Sequence, residues 1–95
     1  MGHSDRYVHK DLVTVTIEKA LFEIGAPAYE AIVLALKDTY NCAIPDCYEH
    51  PEYLKNVLEK HFGAASVAVI KTINENLDKS AKNSRIDRFL LILNQ

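Results

Sequence analysis

The segment Tyr7-Val8-His9-Lys10-Asp11-Leu12-Val13-Thr14-Val15-Thr16-Ile17-Glu18-Lys19-Ala20-Leu21-Phe22-Glu23-Ile24-Gly25-Ala26-Pro27 carries the fold assignment. Two readings compete for it. The run Thr14-Val15-Thr16-Ile17 suits a strand, because branching at Cβ restricts χ1 and weakens helicity. The longer pattern suits a helix. Val13, Ile17, Leu21 and Ile24 recur at helical spacing, and Val8, Leu12, Val15 and Phe22 make a second row beside them. A pattern of this length, stopped by Gly25, favours the helix. The two rows together span a wide face, so this helix is expected to be central or to be covered by a partner.

Beyond Gly25 the punctuation continues. Glycine suits a left-handed position past a helix end, and Pro27 suits the first turn of the next helix. Ala28, Ala31, Ile32, Ala35 and Leu36 form the stripe of that second helix, flanked by Tyr29, Val33 and Tyr40. A connection this short predicts a helical hairpin. Residues 41–50 show no usable period, and Pro45 argues against a helix through them. Pro51 opens a third helix with Tyr53, Leu54, Val57, Leu58 and Phe62 inward, and Gly63 stops it. A fourth is expected from about Ala65 to Lys79, with Val69, Ile73 and Leu77 on one row and Ile70 beside it. Ser84 and Asp87 are spaced as a capping box that starts a short fifth, striped by Ile86, Phe89, Leu90 and Leu93.

The whole is read as one all-α domain over residues 1–95, a compact bundle of four main helices plus a short C-terminal helix. Met1-Gly2-His3 reads as partly a cloning remnant, and residues 1–4 are left outside the fold. With 48% hydrophobic and 25% charged residues, the chain is neither disordered nor collagen-like. Its longest apolar run, Phe89 to Leu93, is too short to span a membrane, and no signal-peptide pattern appears. The expected location is cytoplasmic, with Cys42 and Cys47 as free thiols, although a disulfide between them is sterically possible.

Eleven basic against thirteen acidic residues give a net charge of −2, which disfavours a general nucleic-acid binder. The distribution is uneven. Residues 30–52 carry Glu30, Asp38, Asp46, Glu49 and Glu52 against Lys37, and residues 79–88 carry Lys79, Lys82, Arg85 and Arg88 against Asp87. The basic set, spaced every three residues, is a candidate contact for phosphates or for an acidic partner.

Candidate chemistry concentrates at Cys42, Cys47, His50 and His61. Zinc needs four converging soft or borderline ligands, and the atom types fit. The spacing matches none of the common zinc patterns, and His61 lies three helical turns from His50, roughly 16 Å. Cys47 with His50 also has the composition of a nucleophile and base, but no orienting third group accompanies them. No phosphate-cradling glycine loop is present, as each of the three glycines sits at a terminus or a helix stop. No metal, cofactor or enzyme activity is therefore expected. The run Phe89-Leu90-Leu91-Ile92-Leu93 is apolar on all sides, which predicts cover from another chain. Phe89, Leu90, Leu93, Val15 and Phe22 are the expected contacts of a homodimer.

One pattern extends over most of the chain: Leu21-Phe22-Glu23-Ile24-Gly25, Ala31-Ile32, Leu36, Tyr40, Ile44-Pro45, His50-Pro51-Glu52-Tyr53-Leu54, Leu58, Phe62-Gly63-Ala64, Val69-Ile70, Ile73 and Leu77. It resembles a family of small archaeal helical domains, the Nitrosopumilus output domains, which occur alone or after receiver domains. The resemblance implies a signal-transduction output role and defines no catalytic or binding residues. The two loop cysteines depart from the family pattern, and no receiver domain lies within these residues. The expected function is a non-enzymatic protein-interaction and signalling-output module acting as a homodimer. The alternative is a small DNA-binding regulator using residues 79–88.

Overall fold

The computed structural model describes residues 4–80 and 84–94, with side chains over residues 9–77 and 86–94. Five α-helices follow one another: α1 (Ser4–Ile24), α2 (Ala26–Tyr40), α3 (Pro51–Phe62), α4 (Ser66–Ser80) and α5 (Ser84–Leu93). No strand occurs among the described residues, so tertiary burial overrides the β-branched run at Thr14–Ile17. Thr14 and Thr16 turn their hydroxyls back onto the carbonyls of Lys10 and Leu12, both at 2.8 Å, so the polar atoms cost the helix little.

Helix α1 packs against α2, α4, α5 and the segment that follows α2. Val13, Ile17 and Leu21 stand fully buried along it. They join Ile32 and Leu36 of α2, Leu54 and Leu58 of α3, Ile73 and Leu77 of α4, and Ile86, Phe89 and Leu93 of α5 in one continuous core. The radius of gyration is 12.6 Å, close to the ~12.4 Å of a well-packed chain this long.

The α1–α2 turn rests on Gly25, whose φ of 149° and ψ of 159° lie in a region open almost only to glycine. This is not the left-handed helical conformation that the sequence suggests. Gly25 N–H donates to the Leu21 carbonyl, while the Gly25 carbonyl accepts from Ala28 and Tyr29, so one residue ends one helix and starts the next. The left-handed cap instead falls at Asn41 (φ 53°, ψ 44°). There Asn41 N–H donates to the Lys37 carbonyl, the single bond of an αL closure of α2, and Cys42 N–H reaches back to Leu36.

Residues 44–48 form a 3-10 turn that the sequence pattern does not disclose. At three residues per turn Ile44 and Cys47 eclipse, and both point into the core. Asp46 organises the turn. Its carboxylate accepts from Ala43 N–H at 2.9 Å, and its carbonyl accepts from Glu49 and His50 N–H groups. Lys10 and Glu49, 3.2 Å apart, bridge α1 to the end of the turn.

Two expectations about apolar faces need correction. Phe89 and Leu93 are 1% and 0% exposed, and Leu90 is half-buried, so the chain's own core covers them. Helix α5 lies against α3, α4 and α1, which supplies the cover that a lone short helix lacks. Leu91 alone of that run stays largely in water. Ile24, placed on the inner row by its spacing, is 53% exposed. Its row continues beyond the large core residues to a place where Ala65 and Ala68 are too small to cover it.

Candidate interaction surface

The outer face of α1 carries Val15 and Phe22, 57% and 52% exposed. Seven residues apart, they share one row of the helix, roughly 10 Å from each other. Phe22 stacks on Tyr29 of α2, and the Tyr29 hydroxyl donates to Glu18 at 3.5 Å. Lys19, exposed, stands beside Glu18 on the same face. At the end of α1, Ile24 borders an open groove of about 360 Å³ whose other apolar walls are Ala20, Phe62, Ala65, Ala68 and Val69. Isolated exposed apolar residues are ordinary, but Val15 and Phe22 aligned on one row make a patch, from which Ile24 is turned to the other side of α1.

A second surface feature is an aromatic column. Tyr40 and Tyr53 stack with centroids 3.9 Å apart, and His50 stacks on the other side of Tyr53 at 4.5 Å. Asn56 donates to the Tyr40 hydroxyl at 2.8 Å, and His50 Nδ1 lies 3.3 Å from Glu52. The column ties the end of α2 to α3. Both tyrosines were legible only as helix-face residues, since stacking across two helices leaves no local signal.

The cysteine and histidine candidates are not gathered into one site. Cys47 is fully buried, Cys42 is half-buried, and the His50 ring is held by Tyr53 and Glu52. Burial pushes the Cys47 thiol far above its ordinary range, with further increments from Cys42, Asp46 and Glu52. Cys42 is also raised, first by desolvation and then by Asp46. A thiol held protonated is a poor nucleophile and a poor metal ligand. Among the described residues no group of three His, Cys, Asp or Glu side chains is arranged to hold a metal ion.

Of the basic set, Arg88 is exposed on α5. Lys82 lies outside the described residues, as do the side chains of Lys79 and Arg85 and of the expected cap, Ser84. Among the described residues no helix is long and apolar enough to cross a membrane. No family model, curated protein or solved structure matches the chain.

Proposed function

We propose that this chain is a non-enzymatic protein-interaction module that works as a homodimer, with a signalling-output role as the resemblance to Nitrosopumilus output domains implies. The observation that carries the reading is the aligned exposure of Val15 and Phe22 on α1. Two copies of α1 laid antiparallel about a two-fold axis bring Val15 of one against the partner's Phe22. The same register sets Glu18 opposite the partner's Lys19. A face that sets apolar against apolar and acid against base is what an isologous dimer needs. One helix face per partner is a small interface, so a dissociation constant in roughly the micromolar range is expected.

Light scattering over a concentration series tests this. The weight-average mass should rise from 10.7 kDa toward twice that value and stay at the monomer mass in Phe22→Glu. A wild-type chain that remains at the monomer mass at every concentration overturns the dimer.

A further inference from the structure

Away from the α1 face, the surface between α3, α4 and α5 forms an open groove of about 350 Å³, within the range of small-molecule sites. Val67, Ile70 and Leu93 give it apolar walls. Ser66 lines it at the start of α4. This serine is only 4% exposed, yet its hydroxyl has no hydrogen-bond partner among the described residues. The contrast with Thr14, Thr16 and Thr72 is direct, since each of those closes its hydroxyl onto the carbonyl four residues back. The residue is buried but its oxygen opens onto the groove, so the hydroxyl keeps both donor and acceptor capacity for a ligand.

The remaining polar groups narrow the ligand's chemistry. Lys55 and Lys71 line the groove, and neither ammonium is ion-paired among the described residues. Glu59 lines it too, so the charged groups sum to +1 (two lysines against one glutamate). Asn74 and Asn94 close on each other through two amide bonds of 2.8 and 2.9 Å. Their remaining amide hydrogens go to the carbonyls of Ile70 and Leu90, so no free amide donor faces the ligand. Donation is left to the Ser66 hydroxyl and the two ammonium groups.

We infer that this groove binds a small organic anion: a monocarboxylate on a short apolar tail. The head is taken by Ser66, Lys55 and Lys71, and the tail lies on Val67 and Ile70. The site is independent of the α1 surface.

Titration of the full ¹⁵N-labelled chain with hexanoate, followed by amide chemical shifts, tests it. Saturable shifts are expected around Ser66, Lys71 and Leu93, with a dissociation constant of about a millimolar for a ligand this small. Ser66→Ala should weaken binding about threefold to tenfold, the worth of one hydrogen bond. Lys71→Gln, at an exposed position that does not threaten the fold, should weaken it at least as much. Hexanamide, equal in length but uncharged, and inorganic phosphate, charged but without a tail, should each bind about tenfold more weakly. The proposal is overturned by shifts that do not saturate or that map elsewhere. It is equally overturned if hexanamide or phosphate matches hexanoate, or if Lys71→Gln changes nothing.

Discussion

Phe22 and Tyr29 lie face to face across the α1–α2 hairpin, with ring centroids 4.3 Å apart and planes 18° from parallel. Half of the Phe22 ring remains in water, so the pair contributes less to the fold than a core contact would. Phe22→Ala is expected to cost about 1 kcal/mol of stability in urea unfolding. A loss above about 3 kcal/mol, the range of a core phenylalanine, would contradict a surface role.

Helix α5 separates core from surface within three positions. Phe89 is 1% exposed and Leu91 is 66% exposed. Phe89→Ala should therefore destabilise the fold by about 3–5 kcal/mol. Leu91→Ala should stay within about 0.5 kcal/mol of the parent. Comparable costs for the two, read from denaturant midpoints, would mean that α5 is rotated from its described placement.

The Tyr48 hydroxyl is buried and has no hydrogen-bond partner among the described residues. Folding strips it of water and returns nothing. Tyr48→Phe removes only that oxygen, so the variant should be more stable by about 1 kcal/mol, with an unchanged denaturant slope. A destabilised variant would reveal a partner for the hydroxyl.

Cys47 sets a pH dependence. Its thiol is raised above the ordinary value of 9.0, chiefly by burial, so the unfolded chain loses this proton at lower pH than the folded one does. Above pH 9 the unfolded state binds fewer protons, and stability must fall as pH rises. The slope is about 1.4 kcal/mol per pH unit for this group. Cys47→Ala will be less stable at neutral pH, because it leaves a small cavity, but its stability should decline less steeply between about pH 9 and pH 10. Parallel curves for the two proteins would refute the assignment.

The main helices were legible because their apolar rows run for several turns and end at strong punctuation. Val13, Ile17 and Leu21 point one way over about two turns, and Gly25, Pro51 and Gly63 mark where the chain changes direction. The 3-10 turn was hidden because a period of three cannot be recognised in five residues. What lay inside each row was harder to read than the row itself. Ile24 follows the core spacing but extends past the bulky neighbours, and Phe89 looked over-exposed only because three other helices were not yet in view. Val15 and Phe22 were recognisable as a second row of α1, but not that Tyr29 would cover part of it. The groove at Ser66 was illegible, as its members are brought together from three helices by packing that no local pattern announces.

The Tyr40–Tyr53 stack has a practical corollary. The chain has five tyrosines and no tryptophan, and these two rings sit nearly parallel at 3.9 Å. Their transition dipoles couple strongly at that separation, which gives the molecule a native near-ultraviolet dichroism band sensitive to the docking of α2 on α3. Local opening at that seam can thus be followed optically with no label attached, apart from global melting seen in the far ultraviolet.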